Sequence, residues 1–199
     1  MNSIENFLLD FGLSWKISKL IPYLFFLTTG LLFLIVHKKV KSKKNWTNRL
    51  ISFVLLVFPI SIYFAFFPIY EGDFSNLGIQ PKTTISFPEE KVLTVIVLPN
   101  CPFCYQSIAL MKKIKKRNPK IKISYWVVVS DTLAPKTAIL RLIPSEFKPI
   151  QRHDVSEQAN LAQGTFPCFV LSNKKKALKI WNNNQFGVCA LDEIEDFFK

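Results

Sequence analysis

The chain has 199 residues, a length for one or two domains, and a formal charge of +12. Four cysteines are too few for a disulfide-dense miniature scaffold, and all of them follow residue 100. The densest basic run, His37 to Arg49, lies between two apolar stretches, which points to membrane topology and not to a nucleic-acid partner.

Ile4, Phe7, Leu8, Phe11 and Trp15 recur at helical spacing within residues 1–19. They fit either a short interfacial helix on the outer leaflet or a segment packed on the helices that follow, and the sequence leaves both open. Leu20 to Val36 gives 17 residues without a charge, and Leu50 to Tyr70 gives 21. A spanning helix needs about 20 apolar residues, so residues 20–70 read as a two-helix transmembrane hairpin. Pro22 sits near the start of the first span and Pro59 in the middle of the second. The loop 37–49 carries Lys38, Lys39, Lys41, Lys43, Lys44 and Arg49, whereas Glu71 to Glu90 carries only Lys82. The positive-inside rule places that loop in the cytoplasm and both flanking segments outside. A cleaved signal peptide fits less well, because residues 1–15 hold Glu5 and Asp10 but no base.

Residues 71–91, with Gly72, Gly78, Pro81 and Pro88, read as a linker. Val92 to Leu98 is an apolar, β-branched run expected to be a buried strand. Pro99-Asn100 breaks it, and Pro102 to about Asn118 follows as a helix with Ile108, Leu110, Met111 and Ile114 inward. Ile121 to Val129 is a second buried strand. Leu133 to Ile143 and Val155 to Gln163 are candidate helices, and Cys168 to Leu171 with Ala177 to Trp181 form a hairpin about Ser172-Asn173-Lys174. Asp192 to Phe198 closes the chain as a helix. The basic run Lys112 to Lys122 reads as a solvated helix face.

Cys101-Pro102-Phe103-Cys104 follows a buried strand and opens a helix. Unpaired N–H groups and the helix dipole there favour negative charge on the Cys101 sulfur. Thiolate is the attacking species in disulfide exchange, and Cys104, one turn on, can close a disulfide and release a mixed-disulfide partner. A structural zinc site would need four ligands, typically two such pairs, and the only histidine after residue 92 is His153. Copper handling by Cys101, Cys104 and His153, or a non-catalytic assembly module, remain as rival functions. Cys168 and Cys189 are either buried apolar thiols, a second disulfide prompted by an even cysteine count in an oxidising compartment, or a secondary redox site with Cys168 relaying to the active pair. Phe103, Phe166 and Phe186 are candidates for an apolar rim that binds extended polypeptide.

On these residues the stretch from Val92 to Lys199 resembles the thioredoxin-like superfamily. The strand leading to Cys-Pro-Phe-Cys, then Thr165-Phe166-Pro167 before the third strand, and Gly187 before the last helix carry the resemblance. Cys-Pro-Phe-Cys, Thr-Phe-Pro and Gly187-Val188-Cys189 look glutaredoxin-like. The 62 residues between Cys104 and Pro167, with an extra helix, look more like membrane-tethered thioredoxin-like proteins of the cytochrome c maturation type. Leu98, Pro99 and Asn100 stand where glutaredoxins carry a glutathione-contacting lysine, and Val95 stands where thioredoxins carry a buried acid.

The resemblance implies an α/β thioredoxin-like fold, a mixed sheet flanked by helices, over residues 92–199. It implies that Pro167 is cis beside the cysteine pair, and that Cys101, Cys104 and Pro167 form the catalytic site with Phe166 touching substrate. The expected activity is thiol–disulfide exchange on protein thiols or disulfides at the outer face of a bacterial-type inner membrane, toward the periplasm or cell exterior. No cofactor, resident metal or nucleic acid is expected. The spans hold no cysteine, so a separate membrane redox partner or a small thiol is expected to reset the pair.

Overall fold

The uncharged stretches near the start of the chain can satisfy their backbone polar groups without water only as helices. In the computed structural model, which describes residues 2–40, 46–81, 85–129 and 138–199, they do so. The chain divides into two units, Met1–Tyr70 and Glu71–Lys199.

The first unit consists of α1 (Ser3–Asp10), α2 (Trp15–Val40) and α3 (Trp46–Phe66). Among the described residues two stretches are long and apolar enough to cross a membrane, Trp15–Lys39 with mean hydropathy 2.0 and Asn48–Phe66 with 2.1. Lys41, Lys43 and Lys44 of the basic loop lie outside the described residues. Two boundaries differ from the sequence reading. The first helix starts at Trp15, so Pro22 lies two turns inside it and not at its start. The second ends at Phe66, because Pro68 cannot continue a helix and disfavours helical geometry in the residue before it. The two long helices touch through small and aromatic residues. A Cβ on Gly30 would collide with the Leu56 carbonyl oxygen, the close approach that glycine permits in helix pairs. Tyr63 stacks on Phe26 at 4.9 Å and meets Tyr23 edge-on at 4.8 Å.

The second unit is a five-stranded mixed sheet: β1 (Val92–Val97), β2 (Ile123–Val128), β3 (Pro149–Arg152), β4 (Cys168–Asn173) and β5 (Lys176–Trp181), in the order β3-β2-β1-β4-β5. Strands β1, β2 and β3 are parallel, while β4 and β5 run antiparallel. Every residue of β1 and β2 is buried, which explains why both read as unbroken apolar runs without alternation. The helices are α4 (Glu71–Phe74), α5 (Pro102–Arg117), α6 (Ala138–Leu142), α7 (Val155–Leu161) and α8 (Val188–Phe197). Residues 133–137 of the candidate helix before α6 lie outside the described residues.

Strand β3 is absent from the sequence reading. It is an edge strand of four residues that begins with Pro149, so it shows neither a long apolar run nor a complete set of donors. The hairpin turn falls at Lys174-Lys175, both with positive φ (49° and 65°), one residue later than the sequence suggested. Helix α8 begins four residues before the expected Asp192, directly after Gly187.

The larger correction concerns residues 71–91, read as a linker. Their described part is folded onto the sheet. Ile79 bridges Ile180 of β5, and Phe87 N–H donates to the Lys175 carbonyl at 3.2 Å. Ile85 and Phe87 are buried in an apolar cluster with Ile96, Trp126, Val128, Leu161, Cys168 and Val170. Phe87 stacks on Trp126 at 5.0 Å. The segment therefore extends the sheet's β5 side, and its glycines and prolines mark an irregular packed path and not a free tether.

Candidate redox site

Strand β1 delivers the chain to Cys101, which caps α5 with extended backbone (φ −97°, ψ 114°). Pro102 takes the first helical position, where its missing N–H costs nothing. The Cys104 N–H donates to Cys101 Sγ at 3.2 Å and to the Cys101 carbonyl at 3.0 Å. The sulfur thus occupies the place of a capping oxygen, with a donor aimed at it that favours negative charge. Cys101 and Cys104 are joined as a disulfide with 5.2 Å between their Cα atoms. The two sulfurs differ in access: Cys101 is half-buried, whereas Cys104 is 0% exposed.

Side chains that the motif does not name hold this junction. Tyr105 donates from its hydroxyl to the Pro99 carbonyl at 2.8 Å, pinning the strand-to-helix loop to the first turn of α5. Ser107 donates to the Cys104 carbonyl at 2.7 Å, and its oxygen lies 3.2 Å from the Tyr125 hydroxyl on β2. Burial pushes the Tyr125 phenol above its ordinary range, with the Ser107 contact opposing the shift, so it stays a neutral partner under α5. The sequence signal for Tyr105 and Ser107 was only their place one and three residues after Cys104, within the first two turns of the helix.

Pro167 is buried, and the Phe166–Pro167 peptide is cis, as the resemblance implies. The Phe166 carbonyl oxygen lies 3.7 Å from Cys101 Sγ, within reach of a thiol proton once the disulfide is reduced. The site therefore brings together Cys101, Cys104 and the Phe166–Pro167 segment, 65 residues away in sequence. Of the three aromatic rim candidates, Phe103 is 55% exposed. Phe166 packs partly against the apolar cluster. Phe186 stacks on Phe169 at 3.6 Å and meets Trp181 edge-on, so it belongs to the packing of the sheet and not to an open rim.

Cys168 and Cys189 are both buried and free, so of the two readings the structure favours the apolar thiols over a second disulfide. Side chains alternate faces along a strand. Cys168 shares its face with Ile96, Trp126 and Val170. Tyr125, Val95 and Phe169 share the opposite face, where Ser107 of α5 meets Tyr125. Helix α8, which carries Cys189, is tied to α5 by Arg117–Glu195 at 2.8 Å. The sheet thus stands between the two thiols. Burial also pushes the Cys168 thiol up to about 12, so at neutral pH it is an apolar filler and not a nucleophile.

His153, at the end of β3, does not join the cysteine pair: among the described residues no three His, Cys, Asp or Glu side chains gather as a metal site would require. Another contact was invisible in the sequence. Gly72 lies against Gly187, where a Cβ on either would collide with the other's backbone, and Asp73 Oδ1 accepts from the Val188 N–H at 3.4 Å. Gly187 has no side chain to cap α8, and Asp73 supplies that acceptor from 115 residues away.

No family model and no curated protein matches the chain. Among solved structures it is similar to a secreted disulfide oxidoreductase of Mycobacterium tuberculosis homologous to E. coli DsbE, at 14% identity and TM-score 0.40, covering 55% of this chain and 82% of that one. It is also similar to StoA from Bacillus subtilis, at 15% identity and TM-score 0.37, covering 61% and 98%. A third is the apo Sco1 protein from Thermus thermophilus, at 11% identity and TM-score 0.34, covering 56% and 81%. The strand order, the two antiparallel strands after a parallel core, and the paired cysteines at a strand-to-helix junction make Glu71–Lys199 a thioredoxin-like fold.

Proposed function

We propose that the chain is a membrane-anchored, extracytoplasmic thiol–disulfide oxidoreductase acting on protein thiols or disulfides. The observation that carries this reading is the division of labour at α5: a half-buried Cys101 sulfur that receives a backbone N–H, and a fully buried Cys104 one turn behind it. In the reducing direction, Cys101 thiolate attacks one sulfur of a substrate disulfide, and the other sulfur leaves as a thiolate. Cys104 then attacks the Cys101 sulfur of the mixed disulfide. The second substrate thiol is released, the substrate has gained two electrons, and the Cys101–Cys104 disulfide remains. Run backward, the same steps oxidise a substrate dithiol.

Direction follows from the potential of the partner that resets the pair. The long helices contain no cysteine, so that partner is a separate membrane redox protein or a small thiol. The anchor is the α2–α3 hairpin in a bacterial-type inner membrane, with the basic loop 37–49 in the cytoplasm and Glu71–Lys199 facing the periplasm or cell exterior.

The test is alkylation of the reduced full chain in detergent micelles, read by mass spectrometry across pH. Cys101 should be modified first and at a pH below that at which an ordinary exposed thiol reacts, with Cys104 protected. Equal modification of the two, or Cys101 reacting only as an unperturbed thiol, would remove the basis of the proposal.

A further inference from the structure

Helix α1 buries an acid beside Leu9 and leaves an apolar stripe outside, next to the exposed Asp10. Glu5 is 1% exposed, while Ile4, Phe7 and Phe11 are 49%, 60% and 74% exposed. The exposed three recur at i, i+3 and i+7, a continuous stripe along one face, and the Phe7 and Phe11 rings lie 4.9 Å apart.

The buried side is a polar lock inside the first unit. Asn2 and Glu5 close a capping box, with Asn2 Oδ1 accepting from the Glu5 N–H at 2.8 Å and Glu5 accepting from the Asn2 N–H at 3.1 Å. Asn2 Nδ2 donates to the Tyr63 hydroxyl at 2.6 Å. Tyr63 in turn donates to Glu5 Oε1 at 3.5 Å, and Lys19 Nζ lies 4.0 Å from the same carboxylate. Lys19 also donates to the Pro68 carbonyl at 3.5 Å, and Tyr23 to the Phe67 carbonyl. Gly12, at φ +87°, ends α1 in a turn that few other residues adopt. Burying a carboxylate and an ammonium while leaving two phenylalanines outside is unfavourable in water and favourable where the surroundings are apolar.

We infer that α1 is an interfacial helix whose Ile4–Phe7–Phe11 face lies in the boundary between headgroups and acyl chains of the bilayer. The inference rests on the proposed membrane anchoring. Lipid is the occupant the surface favours because α1 is bonded to the same ends of the spans, through Lys19 and Tyr63, at which Leu20, Leu24, Phe64 and Phe66 are likewise exposed. The stripe carries no lysine or arginine, so its attachment comes from apolar contact and not from anionic headgroups. The Glu5 lock fixes which face of α1 turns outward.

The test uses Phe7→Trp, with Phe11→Trp as a second placement, in the full chain reconstituted into dioleoylphosphatidylcholine vesicles. Matched vesicles contain phosphatidylcholine brominated near the headgroup or near the chain ends. Ile62→Trp, on the exposed side of α3, reports insertion of the hairpin, and the parent chain gives the emission to subtract. Emission added at position 7 or 11 should be quenched more strongly by bromine near the headgroup, and adding phosphatidylglycerol should leave that quenching unchanged. If position 62 is quenched while positions 7 and 11 are not, α1 faces water or a protein partner and the inference is overturned with the anchor intact. If quenching appears only with phosphatidylglycerol present, electrostatics holds α1 and the apolar account is overturned. If none of the three is quenched, the membrane reading itself falls.

Discussion

The two units differ in which side chains they expose. In Glu71–Lys199, Trp126, Tyr125, Trp181 and Leu93 are almost wholly inside, and none of the described lysines is buried. In Met1–Tyr70, Phe25, Leu32, Phe53 and Phe58 are outside, while Glu5, Lys19 and Ser18 are inside. A soluble core is stabilised by moving apolar area out of water, at about 25 cal/mol per Å². A hairpin in lipid gains nothing from that exchange and is held by close packing and by polar groups that find each other. Under the proposed membrane anchoring the same residue type is worth different amounts in the two units, and substitutions can measure the difference.

The largest expected effect is chemical. Cys101→Ser should reduce exchange with a protein disulfide to the uncatalysed background, because the proposed mechanism makes the capping sulfur the attacking atom. Turnover assays of the full chain in micelles give the readout, and retained turnover would assign the chemistry elsewhere. Next in size is the contrast between cores. Trp126→Ala should cost about 3–5 kcal/mol of the soluble unit's stability. Phe25→Ala, on the exposed side of α2, should cost less than about 0.5 kcal/mol by comparison with surface positions. Denaturant titration of each variant in micelles tests the pair, and similar costs would mean that the α2 surface is covered by something else.

The inverse substitution sharpens the point. Glu5→Ala leaves Lys19 and Tyr63 without their shared acceptor and should destabilise the first unit by about 1–3 kcal/mol. An acid on an ordinary soluble surface would cost little, so a neutral result in hairpin thermal melts would argue against the lock.

Cys168 supplies a pH dependence. Its folded value of about 12 lies above the ordinary 9.0, so the folded state keeps a proton that the unfolded chain releases. This thiol's contribution is fully present below pH 9.0 and is lost as pH rises from there toward about 12. Stability curves of the parent and Cys168→Ala should therefore converge as pH is raised through that window and run parallel below it; parallel curves throughout would show a titrating or solvated thiol. The smallest effect lies in the hairpin. Lys174→Asn with Lys175→Gly replaces two left-handed lysines by residues that prefer that geometry, and should add roughly 1 kcal/mol. The exposed Lys175–Glu89 pair lost in the process is worth little.

Sequence alone revealed what periodicity and punctuation encode. The buried runs of β1 and β2, the Pro102 start of α5, the β4–β5 hairpin and the two long apolar helices follow from local pattern. So does the Cys101–Cys104 pair, since strand, breaker and helix start are contiguous. The approach of Phe166–Pro167 to Cys101 was legible only through family resemblance, because no local signal links residues so far apart. What escaped depends on tertiary contact. Strand β3 exists because β2 offers it an edge, and the described part of residues 71–91 packs through Ile79 on β5 and Phe87 on Trp126. The pairing of Cys168 with Cys189 looked plausible from counting and fails because a sheet separates them. The roles of Tyr105, Ser107 and Asp73 rest on partners that no spacing rule predicts.

The most direct test of the central claim is trapping. Cys104→Ala removes the resolving thiol and leaves Cys101 in place. Mixed with a disulfide-bonded protein substrate under non-reducing conditions, it should accumulate a covalent adduct whose mass and peptide map place the bond at Cys101, and Cys101→Ser in the same background should abolish the adduct. An adduct at Cys168 or Cys189, or none above the level of the double variant, would contradict the account.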